Sequence, residues 1–317
     1  MGVTHQPNIT TPVNPTGVFS SNIACLGFIN PGLALAVAQY PPANGGTFVQ
    51  SKQSYLGSDA VIVAMALAKW GMGAHLLTNA LGDDALGRNA KQQLQTAGVK
   101  GDLTLLPDVI TPLEIDVCDQ QGKRTWFVEQ AWSLFGSIAN ADLRPIQQAS
   151  MLYLDWYAGD EIVERAFETA LAQGVPIYLN VECEAQQSER YAHWIKRATV
   201  VQTWINDDDV SRNDAAMALA LAQRLCDLGA TMAVVTRGKD GCVAQSATET
   251  VSLQAPKVEI VGTLGAGAIF SAGMMYGYHR GWSLLEMAGF AMRAASLKCR
   301  TLTPEPPDLG ALMNVDN

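Results

Sequence analysis

The sequence predicts an α/β protein: a mostly parallel sheet with helices on both faces and a small β-layer projecting from it. Three observations carry this. From residue 150 onward, short apolar runs alternate regularly with longer helical stretches, the rhythm of βαβ units. Two segments, 33–55 and 111–130, instead show β-rich runs separated by turn signals. Near the end, Val258–Gly273 reads as a strand, a glycine-rich turn and a helix of small and apolar residues. A turn of that kind can hold an anion, because unpaired N–H groups point out of a helix start.

Each element has a local cause. Asn22–Ile29 is an apolar run and predicts a first buried strand. Leu33–Gln39 is followed by Pro41-Pro42 and Asn44-Gly45-Gly46, a strong turn signal, and Thr47–Tyr55 alternates as a second lid strand. Ser58–Trp70 has Ala-rich helical faces with Gly71 as its stop. His75–Thr78 predicts a strand, and a helix follows Gly82-Asp83-Asp84 and runs to Gly98. Leu113–Cys118 and Arg124–Glu129 flank Asp119-Gln120-Gln121-Gly122 and predict a hairpin. Strands are then predicted at Met151–Asp155, Val175–Asn180, Thr199–Ile205, Thr231–Thr236 and Val258–Val261. Helices are predicted at Glu161–Gln173, Ala215–Leu228, Ile269–Arg280 and Leu284–Lys298.

The 317 residues, 48% of them hydrophobic, suffice for a sizeable core. A net charge of −9 and a pI near 4.9 argue against nucleic-acid and anionic-membrane partners, though not against a local phosphate pocket. The six cysteines, at 25, 118, 183, 226, 242 and 299, show no CxxC spacing and predict reduced thiols in a cytoplasmic protein. Histidines 5, 75, 193 and 279 are isolated in sequence, so no metal site is assigned to them. Residues 1–21 are rich in Thr, Pro and Asn and predict a flexible tail, not a secretory signal. Residues 22–303 are expected to form one domain, with 304–317 as a C-terminal tail.

Several ordered motifs extend this reading. They are Leu67-Ala68-Lys69-Trp70-Gly71, Gly82-Asp83-Asp84-Ala85-Leu86-Gly87-Arg88, Gly98-Val99 and Gly122-Lys123-Arg124-Thr125. Asn206-Asp207-Asp208-Asp209, Thr236-Arg237-Gly238-Lys239-Asp240-Gly241 and Gly265-Ala266-Gly267 follow. In this order and spacing the chain, from about Asn22 to Thr303, resembles the ribokinase, or PfkB, family of sugar and nucleoside kinases. The resemblance implies a ribokinase-like three-layer sandwich with a β-sheet lid over the sugar site. It implies ATP and Mg²⁺ as cofactors, a sugar or nucleoside as substrate, and a homodimer formed through the lid. Gly265, Ala266 and Gly267 would form the anion hole. Asn206, Asp209, Thr236, Gly238 and Gly241 would face the nucleotide, with Asp209 reaching Mg²⁺ through water. Gly32, Gly57, Asp59, Ile62 and Arg124 would lie at the substrate.

The chain departs from the family where the chemistry lies. The family's motif D-T-x-G-A-G-D ends in the Asp that takes the proton from the attacking hydroxyl, and here that position is Ala268. The motif's first Asp is Gly262. The family's sugar-binding Asp and Asn fall at Gly32 and Ile62. Positioned proton transfer contributes roughly 10²–10⁴-fold in rate, and alanine supplies none of it.

The first expectation is therefore a pseudokinase that keeps ligand binding and a regulatory role. A second is an active kinase of an unusual sugar or nucleoside, with Asp59 or Asp155 as base. A third is a structural or oligomeric protein that binds no ligand. Alongside these stand plainer roles. Asp83 and Asp84 read as turn and helix-cap residues, Asp207–Asp209 as a solvated loop, and the Gly265–Gly267 segment as a tight strand–helix turn.

Overall fold

The computed structural model describes residues 21–101, 103–182, 190–205 and 215–313. Its first half contains β1 (Asn22–Leu26), β2 (Asn30–Val37), β3 (Val49–Gly57), α1 (Asp59–Lys69), β4 (Gly73–Leu77), β5 (Leu81–Gly82), α2 (Ala85–Thr96), β6 (Leu105–Leu106), β7 (Glu114–Cys118), β8 (Arg124–Val128) and α3 (Trp132–Gly136). Its second half contains β9 (Met151–Asp155), α4 (Asp160–Ala172), β10 (Ile177–Asn180), α5 (Ala192–Ile195), β11 (Val200–Trp204), α6 (Ala215–Asp227), β12 (Met232–Thr236), β13 (Cys242–Ser246), β14 (Thr250–Leu253), α7 (Ala266–His279), α8 (Leu284–Lys298) and α9 (Leu309–Met313).

The main sheet has the order β14-β13-β12-β11-β10-β9-β1-β4. Its strands are parallel from β4 to β12, and β13 and β14 close the edge antiparallel. Such strands are buried on both faces, which explains their continuous apolar runs; every residue of β9 is buried. One core, shared by α1, α7 and α8, covers one face. A second, shared by α4, α5 and α6, covers the other. This is the predicted three-layer sandwich.

The lid is a separate sheet in the order β3-β2-β7-β8. It leaves the sheet directly after β1, so it rises from the carboxyl end of the strands. Strand order reverses between β1 and β9, because the chain first fills the β4 side and then returns. That crevice is where open α/β sheets bind ligands.

Helix termini follow the expected chemistry. Asp84 caps α2, accepting from Gly87 N at 2.9 Å, while its other oxygen accepts from Thr111 N at 2.8 Å. Gly71, at φ 83°, ends α1 as anticipated.

One expectation needs correction, and two features lie beyond the sequence reading. Val258–Val261 is not a strand: it joins no sheet and bends at Val261, and the N–H groups of Val261 and Gly262 donate to Cys299 O at 2.8 and 3.2 Å. Its β-branched residues lie half-exposed, with Ile260 against Gly122 of the lid hairpin, so strand propensity found no ladder to join. The edge strands β13 and β14 went unassigned. Finally, the chain beyond Thr303 is docked as far as Met313. Pro306 O accepts from Lys69 Nζ at 2.7 Å, Pro307 O accepts from Trp70 Nε1 at 2.9 Å, and Leu312 is buried. Among the described residues no helix is long and apolar enough to cross a membrane.

Candidate functional site

The glycine turn connects the Val258–Val261 segment to α7. Gly265 adopts φ 75°, a left-handed conformation that glycine allows, and is the N-cap of the helix. Two side chains crowd it: a Cβ at 265 would lie 2.6 Å from Pro304 Cβ and 2.9 Å from Ile62 Cδ1. Gly267 is open, with nothing within 4 Å of the place a Cβ would occupy. Its carbonyl accepts from Gln202 Nε2 at 3.2 Å and Ser271 Oγ at 3.1 Å. Gln202 Oε1 in turn accepts from the Tyr178 hydroxyl and lies 3.0 Å from Ser271 Oγ, whose single proton serves either this oxygen or the Gly267 carbonyl. A buried amide on β11 therefore fixes the first turn of the helix from the core side.

Ala268 lies in the first turn of α7 and is fully buried in the same apolar cluster as Ile62. No group at this position can accept a proton.

Beside the crevice, polar residues gather at the ends of apolar strands. Asp155 ends β9, is fully buried, and accepts from Tyr153 OH at 2.8 Å and from Ala60 N at 3.0 Å. A Cβ on Gly27 would stand 2.4 Å from Asp155 Oδ2, so glycine after β1 is what lets α1 and β9 converge. Asn180 ends β10, and its Nδ2 donates to Asp59 Oδ2 at 3.0 Å and reaches Asp155 Oδ1 at 3.4 Å. Glu182, at the unusual φ of 40°, shares a hydrogen bond with Asp59.

Burial raises the pKa of Asp59. Burial, then the charge of Asp59, holds Asp155 well above the usual carboxylate range. Burial, then Asp59, pushes Glu182 up to about 10. Glu182 has accessible surface, yet it faces two carboxylates inside a cleft, and that crowding favours its neutral form. A protonated Glu182 donating to the Asp59 carboxylate fits these directions.

The lid adds a third group. Tyr55 OH donates to Glu114 Oε1 at 2.9 Å, and Asn30 Nδ2 to Glu114 Oε2 at 3.5 Å. Arg124 pairs with Asp116 through its Nε and with Glu114 through its Nη2 at 3.5 Å.

A sheet crevice, a glycine turn at a helix start and a β-lid over both form one constellation. The sequence model of the pfkB family carbohydrate kinases matches residues 22–307. The chain belongs to the PfkB family. A nucleoside kinase of Methanothermobacter thermautotrophicus is 24% identical over 262 residues, covering 81% of this chain and 82% of that protein. An ATP-dependent 6-phosphofructokinase of Thermoanaerobacterium thermosaccharolyticum is 32% identical over 96 residues, spanning 29% of this chain and only 30% of that enzyme. The Arabidopsis thaliana ribokinase complexed with ribose and ATP superposes with a TM-score of 0.72 at 18% identity, over 93% of this chain and 98% of that one. A Thermotoga maritima ribokinase superposes at 0.70 and 16% identity, over 92% and 98%. At these identities the structural likeness shows the fold alone.

Within this PfkB frame the predicted residues separate. Gly265, Ala266, Gly267 and Ala268 form one turn, with Ile62 packed on it. Gly57 lies within a would-be Cβ contact of Tyr55 and Glu114, and Arg124 pairs with the same lid carboxylates. Gly32 has the Tyr55 ring across it, 2.2 Å from a would-be Cβ, so an aromatic ring occupies the space a side chain would use. Thr236 ends β12, and its Oγ1 reaches Thr203 O at 3.4 Å. Gly238 opens a 3₁₀ turn at φ 52°. Gly241 has a structural reason to be glycine: φ is 96°, and a Cβ would lie 1.8 Å from Leu253 O. Asn206 and Asp209 lie outside the described residues. Sequence reasoning missed Asn180, Gln202, Glu114 and Glu182. For Asn180 and Gln202 a usable signal existed, a polar residue at or near the carboxyl end of an otherwise apolar parallel strand.

Proposed function

We propose that this chain is a PfkB-family pseudokinase. It binds a sugar or nucleoside between lid and crevice and a phosphate-bearing nucleotide at the glycine turn, and it transfers phosphate weakly or not at all. It acts through binding, as a regulator or subunit. The observation that carries this is the fully buried Ala268 in the first turn of α7. The loss is not local, because Ile62 and the Tyr55 ring fill space at two further positions aligned with sugar contacts.

The turn suits a phosphate. Gly267 leaves room in front of the helix start, and Gln202 holds its carbonyl away. ATP, when bound, would supply the transferable phosphoryl group; Gly265, Ala266 and Gly267 would hold it, and Asn206 and Asp209 remain the candidates for Mg²⁺.

One observation favours a second reading, an active kinase with another base. Asp59 and Ile62 are three apart on α1 and so share a face, and Ile62 touches Gly265. Asp59 is thus a carboxylate about one helical turn from the residue that packs on the glycine turn, with its pKa raised by burial.

Calorimetry with ATP and Mg²⁺, paired with a phosphoryl-transfer assay over sugars and nucleosides, tests the choice. Heat without product supports the pseudokinase. Product formation abolished by Asp59→Asn supports the second reading. The absence of heat rejects both.

A further inference from the structure

Lys298 is a buried ammonium that the site described so far does not use. It is the last residue of α8 and 1% exposed. Its Nζ donates to two backbone carbonyls, Gly262 O at 2.8 Å and Thr301 O at 3.4 Å. Among the described residues it forms no ion pair with a carboxylate. Lysine is rarely fully buried unless paired, because desolvating a charge is expensive. A helix C-terminus favours a cation, but that effect is met just as well at the surface and does not explain the burial.

What the ammonium joins is specific. Gly262 lies three residues before Gly265 in the glycine turn, and Thr301 lies in the loop after α8. The two segments are laced elsewhere. Val261 N and Gly262 N donate to Cys299 O, and Thr301 Oγ1 lies 2.8 Å from Lys298 O and 2.9 Å from Thr303 O, donating to one of them. The lid touches the same point, where Cys118 Sγ reaches Val261 O at 3.5 Å and Thr263 Oγ1 donates to Gly122 O at 3.5 Å.

We infer that Lys298 is a positioning residue for an anion at the glycine turn, supplying a fixed positive charge behind it. The inference rests on the reading that the turn takes a phosphate. Three residues of chain span at most about 10 Å, and with the ammonium 2.8 Å from Gly262 O it lies within about 15 Å of the turn. A unit charge there, at the effective dielectric of protein sites, changes the affinity for one negative charge on the order of tenfold.

The charge is titratable. Burial pushes Lys298 down to about 8. The groups facing it are Asp116 and Cys118 on β7, Arg124 on β8, and Cys299 just past α8. Burial raises both thiols, so they stay neutral while the lysine loses its proton, and Arg124 stays charged throughout.

The test is calorimetric titration with ATP and Mg²⁺ on the unmodified chain and on Lys298→Met, from about pH 7.5 to about pH 9. Methionine keeps an unbranched apolar stem in place. The expected result has two parts. ATP affinity of the unmodified chain falls on the order of tenfold as pH rises through about 8. Lys298→Met binds ATP on the order of tenfold more weakly at the lower pH and shows no such fall.

A flat profile in the unmodified chain overturns the inference, whether or not the methionine variant folds. So does a methionine variant that binds ATP like the unmodified chain. A variant whose binding loss tracks a collapsed melting temperature, while still falling above pH 8, shows only a structural staple and also overturns it. If the unmodified chain binds no ATP at any pH, the reading of the turn fails first, a result distinct from either.

Discussion

The side chain of Ile62 rests on Gly265, so that a Cβ added to the glycine would lie 2.9 Å from Ile62 Cδ1. The position that the resemblance equates with a sugar-binding asparagine is thus part of the packing around the proposed anion site. Gly265→Ala would meet both this contact and the φ of 75°. We expect a loss of about 1–3 kcal/mol by denaturant unfolding. In an Ile62→Ala background, itself destabilised by about 2–5 kcal/mol, the added penalty of Gly265→Ala should shrink by about 0.5 kcal/mol or more. Strict additivity would show that the two residues are not coupled.

The carboxylates of the crevice set a pH dependence. Asp59, Asp155 and Glu182 have folded pKa values raised above their unfolded values, Glu182 to about 10. The folded state therefore binds more protons than the unfolded one above the ordinary carboxylate range. Stability from this cluster is fully present below about pH 4 and is lost as pH rises through the folded values. Asp59→Asn removes one of the repelling charges. Melting temperature measured from about pH 5 to about pH 8 should decline less in the variant than in the unmodified chain, by about 2–4 °C for each 1 kcal/mol. Parallel curves would refute the shared-proton arrangement.

Arg124 compensates two lid carboxylates whose side chains are 11% and 2% exposed, Glu114 and Asp116. Arg124→Ala leaves both without their cation. Thermal unfolding should show a loss of about 3–5 kcal/mol. Lysine should restore only part of it, because it cannot present the same planar fork. Full rescue by lysine would mean that charge alone matters.

The motif Gly82–Arg88 is the clearest sequence signal in the chain, yet its acidic residues do structural work. Asp84→Ala should cost about 0.5–2 kcal/mol through the lost cap and leave ATP binding by calorimetry unchanged. Weakened ATP binding at equal folded fraction would assign the motif to the nucleotide instead.

These contrasts explain what was legible. The three layers followed from strand–helix alternation, because parallel strands buried on both faces must be apolar throughout. Met151–Asp155 was placed to the residue for that reason. Asp59, Ile62 and the glycine turn were found through motif spacing. Val258–Val261 misled because β-branching reports a preference for extended backbone, and not whether a partner strand is present. Asn180 and Gln202 carry a local signal as polar residues near the ends of apolar strands, but their partners, like the role of Lys298, depend on what lies across the sheet or beyond a helix end. Gln202 acts on Gly267, 65 positions away, and Lys298 on Gly262, 36 away. No local pattern encodes such a pairing.

On the proposed pseudokinase reading, no base serves the glycine turn. A phosphoryl-transfer assay with ATP, Mg²⁺ and a panel of sugars and nucleosides, run at a concentration where ATP binding is saturated, tests it most directly. A pseudokinase gives product at or near the no-enzyme blank for the unmodified chain. Robust Mg²⁺-dependent turnover by the unmodified chain would contradict it.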